Sequence, residues 1–370
     1  MQDIFKQYDD GSQIDVAILD FSKAFDVVPH QRLIMKLNHY GISGDTNRWI
    51  QAFLTNRKQK VMVNGVLSGP AAVTSGVPQG TVLGPLLFLC YINDLPSVVK
   101  SQVRLFADDC LLYRAIHSKR DQDILQQDLN ALQQWSEAWQ MRFNPIKCYT
   151  LRLSRKKTIH SRDYSLCNTA LAQVRHNPYL GVLLSDDAKW GEHINNTAKK
   201  ANSTLGFLRR NLRRCPSQLK ELAYISLVRS TLEYASVVWD PHLAKDVKKL
   251  EAVQRRAARF VCADYERQSS VTTMLTKLGW STLQSRRRQA RLTMFHKVIQ
   301  GRSAINAESL LLPASRQTRA KNSFKLQLIS TNTTVYQQSF FPRTVPEWNG
   351  LPQRVVDCES TEAFKAALSG

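Results

Sequence analysis

A chain of 370 residues with 43% hydrophobic and 22% charged residues, 13 Pro and 15 Gly is built like a folded protein of about two domains, which excludes low-complexity and collagen-like chains. Its charge is unusual: 51 Lys+Arg against 30 Asp+Glu leave +21, the footprint of a polyanionic partner, nucleic acid first and an anionic membrane second. Apolar runs fall short of the roughly 18 residues a spanning helix needs, the N-terminus lacks a secretory pattern, and seven scattered cysteines suggest neither a disulfide framework nor a zinc ribbon. The expected chain is therefore intracellular, nuclear or cytoplasmic, and not secreted.

In chain order, the apolar run 14–19 reads as a buried strand that ends at Asp20. Pro29 opens a helix carrying Leu33, Ile34, Leu37 and Tyr40, Gly41 closes it, and Trp49, Phe53 and Leu54 mark a second. Asn64-Gly65 splits 60–63 from 66–74 as a hairpin, and a loop over 75–80 follows. Residues 82–92, apolar on most sides, read as a buried helix. Two strands, 103–106 and 111–113, flank Ala107-Asp108-Asp109-Cys110, a hairpin with acids at its tip. Helical spacing returns over 121–141, and 150–153 and 179–184 read as further strands, so the N-terminal part is α+β.

Beyond it, Ile194, Ala198, Ala201, Leu205, Leu208 and Leu212 form a helical stripe, with Lys199, Lys200, Arg209, Arg210, Arg213 and Arg214 off it. Val247, Leu250, Val253, Ala257 and Phe260 repeat the design, with Lys248, Arg255 and Arg259 on another face. Arg286 to Arg288 and Arg291 make a third basic cluster. Residues 1–150 hold 15 Lys+Arg against 14 Asp+Glu, and residues 151–370 hold 36 against 16, which separates chemistry from grip.

Asp20 at a strand exit and Asp108-Asp109 on a neighbouring hairpin are hard oxygen ligands on rigid supports. With substrate phosphates and water they suffice for Mg²⁺, and a pair of such cations suits in-line phosphoryl displacement. An Asp-Asp pair alone is usually turn chemistry. Asp26 reads as a cap for the turn before Pro29, outside any metal site, and the eight histidines show no zinc spacing.

The wording around these acids adds more. Leu19-Asp20-Phe21-Ser22-Lys23-Ala24-Phe25-Asp26, Ser75-Gly76-Val77-Pro78-Gln79-Gly80 and Phe106-Ala107-Asp108-Asp109 resemble motifs A, B and C of reverse transcriptases, in that order. The variant is that of LINE-type (non-LTR) retrotransposons rather than of group II intron or telomerase-type enzymes. Asn144-Pro145-Ile146-Lys147, Tyr179-Leu180-Gly181, Ser339-Phe340-Phe341-Pro342-Arg343 and Trp348-Asn349 extend the resemblance over most of the chain.

The resemblance implies a palm over 1–190, an antiparallel sheet packed on helices with the fingers largely missing, since only 19 residues precede Asp20. A mostly helical, basic thumb over 191–300 and a C-terminal extension over 301–370 would follow. The implied activity is RNA-directed DNA polymerase, with an RNA template, a DNA primer and deoxynucleoside triphosphates as partners and no membrane. Two Mg²⁺ ions, with Mn²⁺ as substitute, would be held by Asp20 and Asp108, assisted by the backbone carbonyl of Phe21 and with Asp109 beside them. Side-chain alternation along a strand makes Asp108, rather than Asp109, the one expected to face Asp20. Phe25 would bar a 2′-hydroxyl, Gly76, Pro78, Gln79 and Gly80 would lie against nucleotide and template, and Lys147 would donate a proton to the leaving pyrophosphate. The second expectation is a catalytically inactive remnant that only binds nucleic acid, because missing fingers remove groups that position the triphosphate.

Overall fold

The structure is a computed structural model that describes residues 1–314 and 324–369. It divides into two units, Gly11–Gly181 and, together, Met1–Asp10 with Val182–Gly370. The first ten residues, expected in the palm, thus form helix α1 (Gln2–Asp9) in the C-terminal unit. There the Asp9 carboxylate accepts from the Asn332 amide at 2.9 Å, and Gln2 Nε2 donates to the Tyr336 hydroxyl at 3.1 Å.

The unit Gly11–Gly181 is built on a five-stranded sheet. Its strands are β1 (Gln13–Leu19), β2 (Gln102–Phe106), β3 (Asp109–Ile116), β4 (Tyr149–Leu153) and β5 (Ala172–Gln173), in the order β5-β4-β1-β3-β2. All pairs are antiparallel except β5 with β4. Flanked on both edges, β1 is buried along its whole length. Its Asp15 is tolerated there because Arg152 Nε at 3.2 Å and the Tyr164 hydroxyl at 2.7 Å donate to it. Helices α2 (His30–His39), α3 (Gly44–Leu54), α4 (Leu83–Ile92) and α5 (Lys119–Ala138) supply Leu37, Leu54, Phe88 and Leu129 to one core with Leu19, Cys110 and Leu112. A capping box between Ser118 and Asp121 starts α5.

Two expectations change here. The helix α4 buries one face only: Leu87, Phe88 and Tyr91 are in the core, whereas Leu86 and Leu89 are about half exposed (55% and 49%). With apolar residues on every side, composition cannot say which face meets the sheet. The single strand expected over 179–184 is broken at Leu180 and Gly181, both at positive φ (48° and 75°), into His176–Tyr179 and Val182–Ser185.

The C-terminal unit is helical: α6 (Gly191–Asn211), α7 (Ser217–Ala223), α8 (Ala244–Cys262), α9 (Leu283–Ile299), α10 (Phe340–Asn349) and α11 (Thr361–Ser369), with the helix Val271–Lys277 and shorter helical turns between. Ile194, Ala198, Ala201, Leu205 and Leu208 of α6 pack with Leu250, Val253, Ala257 and Phe260 of α8. A second cluster joins Leu292 and Phe295 of α9 to Phe341, Val345, Trp348 and Phe364. No helix among the described residues is long and apolar enough to cross a membrane.

The third basic cluster is corrected by this packing. Arg287 and Arg291 are almost fully buried (1% and 2% exposed) and both bond the carboxylate of Asp240, Arg287 through Nε at 2.9 Å. Arg343 adds a 3.3 Å ion pair to Asp240, Arg286 pairs with Glu233, and Arg288 and Arg291 pair with Glu347. These arginines fasten α9 to its neighbours. A run of like charge along one helix says nothing about acids that the fold brings from 47 or more residues away.

Candidate active site

The three acids meet where β1 and the β2–β3 hairpin end. Leu19 is in register with Cys110, and Phe106 with Asp109, so Ala107 and Asp108 form the tip of the hairpin, Ala107 at φ 50°. Asp20 leaves β1 on that side. Its amide donates to Cys148 Sγ at 3.3 Å and its carbonyl accepts from the Asn144 amide at 2.8 Å, while the Ser22 amide donates to the Arg142 carbonyl at 2.7 Å. The 142–148 segment therefore fixes the direction in which Asp20 departs. Nothing in the spacing of Cys148 points to this role; only its register beside β1 does.

The electrostatics are those of crowded acids. Burial pushes the Asp20 carboxyl above the usual carboxylate range; Lys147, whose Nζ lies 3.9 Å from Asp20 Oδ2, opposes the shift and Asp108 adds to it. Burial likewise raises Asp109, and the charges of Asp108 and Asp20 raise it further. Burial pushes the Tyr179 hydroxyl up to about 12, with the charges of Cys110 and Asp109 contributing. Among the described residues no three or more His, Cys, Asp or Glu form a ready-made metal cage. Mg²⁺ seldom has one, being held by one or two carboxylates plus substrate oxygens. An all-oxygen, mutually repelling donor set fits a hard cation.

The segment 75–80 is fastened to the stretch that follows β1. The Gly76 amide donates to the Val28 carbonyl at 2.8 Å and the Val77 amide to the Phe25 carbonyl at 2.8 Å. Ser75 Oγ bonds the Asp26 carbonyl, and Gln79 Nε2 bonds Asp26 Oδ1, both at 2.9 Å. Asp26, expected to cap a turn, instead holds Gln79. Gly76 sits at φ +88°, and a Cβ there would lie 2.7 Å from the Asp26 carbonyl oxygen; Gly80 has φ +74° but open space around it. We expect Gly76→Ala to cost at least about 2 kcal/mol of stability and Gly80→Ala about 1, read as shifts in the urea midpoint. Equal costs would mean that the contact with Asp26 does not constrain the loop.

Phe21 is buried, its ring stacked on Phe143 at 4.2 Å, so its side chain is not available to a ligand. Phe25 is half-buried and stacks on Phe88 at 4.3 Å. Pro78 is half-buried and Gln79 and Gly80 exposed. A cleft of about 1120 Å³ borders this loop, lined by His30, Thr55, Ser75 and Arg142 among others, but none of the three acids lines it.

In the C-terminal unit, Lys199, Lys200, Arg209, Arg210, Arg213 and Arg214 on and after α6, and Lys248 and Arg255 on α8, are exposed. Arg259 differs. Its guanidinium donates to the carbonyls of Asp264, Glu266 and Ser269 and ties down the loop after α8.

Residues 6–184 match the reverse transcriptase (RNA-dependent DNA polymerase) family. Among curated proteins, the chain is 27% identical over 348 residues to a probable RNA-directed DNA polymerase from transposon BS of Drosophila melanogaster, covering 86% of this chain and 36% of that protein. It is 24% identical over 280 residues to one from transposon X-element of the same species (70% and 30% covered). Over 189 residues it is 31% identical to the RNA-directed DNA polymerase from mobile element jockey of that species (49% and 20% covered). The chain spans about a third of the length of the first two.

Proposed function

Residues 6–184 belong to the reverse transcriptase family, in the form carried by LINE-type (non-LTR) transposons, and from that premise we propose that this chain extends a DNA primer on an RNA template. The observation that supports this most is the convergence of Asp20, Asp108 and Asp109 at the ends of paired strands, with Asp20 and Asp109 raised by burial and by the neighbouring acids. Asp20 and Asp108 would hold two Mg²⁺ ions, with Asp109 and the Phe21 carbonyl beside them. Such ions, when bound, stabilise the attacking and leaving oxygens of an in-line displacement.

The remaining work falls to the chain's own groups. Lys147, whose ammonium lies 3.9 Å from the Asp20 carboxylate, would give a proton to the departing pyrophosphate. The loop 75–80 has exposed residues at Gln79 and Gly80 that would lie along nucleotide and template. Lys199, Lys200, Arg209, Arg210, Arg213, Arg214, Lys248 and Arg255 offer cations to the phosphates of the template–primer. An intracellular location, nuclear or cytoplasmic, goes with this reading.

The test is primer extension on RNA by the purified chain, with Mg²⁺ against chelator. Metal-dependent extension supports the proposal. A folded chain that binds the duplex without extending it supports the second reading, a remnant that only binds. In the same assay Phe25→Ala should relax discrimination against ribonucleotides by on the order of tens- to a hundredfold, the scale for removing a steric block. If Phe25 is only a core ring, the variant should lose stability with the discrimination ratio unchanged.

A further inference from the structure

A cleft of about 800 Å³ lies among the end of α6, α7 and the loop after α8, and no carboxylate among the described residues lines it. Arg209 and Arg210 enter from the last turn of α6, Arg213 from just after it and Lys220 from α7, with Phe260 and Tyr265 completing the wall. Arginines in the last turn of a helix are favoured by its dipole. That does not account for Lys220, which is only 6% exposed, has no acidic partner among the described residues, and sets its ammonium 5.6 Å from the Phe260 ring centre. Four cations lining one cleft, with no counter-charge among the described residues that line it, suit a bound anion.

Tyr265 narrows the choice. Its ring is 54% exposed, with the Arg209 guanidinium 5.3 Å from the ring centre. The loop that presents it is held by the three carbonyl bonds of Arg259 and begins at Ala263 with φ 53°. The acids on either side of Tyr265 do not line the cleft, and Asp264 Oδ1 accepts from the Glu266 amide. A phosphate alone would need only the cations. An exposed, pre-positioned ring beside them is a stacking platform, which every base can use but a paired base, already stacked on both faces, cannot.

We propose that this cleft takes one unpaired nucleotide of a single strand, its base against Tyr265 and its phosphate among Arg210, Arg213 and Lys220. The proposal rests on the reading above that the chain binds nucleic acid. It is tested on the full chain by fluorescence anisotropy at fixed salt, with a labelled single-stranded RNA and a blunt duplex of the same length. Tyr265→Ala should weaken single-strand binding by about 5- to 100-fold, the range for losing one base–aromatic stack, and leave the duplex within about twofold. Tyr265→Phe should retain binding, and Lys220→Met should weaken the single strand with a shallower salt dependence. Tyr265→Ala touching both ligands equally, or neither, overturns the proposal while leaving nucleic-acid binding intact. A folded wild type that binds neither overturns both. Tyr265 is exposed, so its variants keep the test open even if Lys220→Met fails to fold.

Discussion

Asp20→Asn and Asp108→Asn should each lower nucleotide addition by on the order of a thousandfold or more. On the proposed reading each variant removes a ligand for ions that would together contribute several kcal/mol to the transition state, and each 1.4 kcal/mol lost costs a decade. The same assay should show a smaller loss for Asp109→Asn, because the neighbouring charge that raises Asp20 is that of Asp108. Stability should move the other way for the two acids with raised pKa. A carboxyl whose folded-state pKa lies above its ordinary value binds its proton more tightly in the folded chain, so its contribution to stability falls as pH rises through that window. At neutral pH the charges of Asp20 and Asp109 therefore oppose folding, and removing either should leave the melting temperature in metal-free buffer no lower than wild type. Variants that are inactive and also less stable would mean that these acids brace the sheet.

Asp240→Ala should be the most damaging single change to the C-terminal unit, at about 3–5 kcal/mol. It would leave the buried guanidinium groups of Arg287 and Arg291 without the carboxylate that both share, and Arg343 without its ion pair. Arg287 is already poorly served, since neither of its terminal nitrogens has a hydrogen-bond partner among the described residues. Arg288→Ala should fall within about 1 kcal/mol, because that side chain is half exposed and its pair with Glu347 is screened. The check is the urea midpoint followed through the fluorescence of Trp239 and Trp348, both buried in this unit. A loss under about 1 kcal/mol for Asp240→Ala would show that the arginines rehydrate on their own.

The network explains part of the C-terminal wording. Arg343 of the Ser339–Arg343 stretch also donates to the Asp240 carbonyl at 2.8 Å. Trp348 donates to the Phe324 carbonyl at 3.1 Å, and Asn349 exchanges two bonds with the Leu326 backbone at 2.8 and 2.9 Å. These residues hold α10 in place.

Local order was legible because its causes are local. Alternation and turn chemistry set the hairpin that carries Asp108 and Asp109 at its tip, and the stripe from Ile194 to Leu208 marks the buried face of α6 before any partner is known. The acids of the site could be named for the same reason: each closes or opens a strand visible in its own neighbourhood. What the sequence did not show depends on partners distant along the chain. Cys148 and Asn144 steer Asp20 across more than a hundred residues, Asp26 holds Gln79, and α1 joins the C-terminal unit through Asp9. Most clearly, the basic residues of α6 and α9 look alike in composition. Only tertiary packing decided that those of α6 stay in water, open to a polyanion, while Arg287 and Arg291 were drawn inside, because burying a charge is tolerable only where the fold supplies its counter-charge.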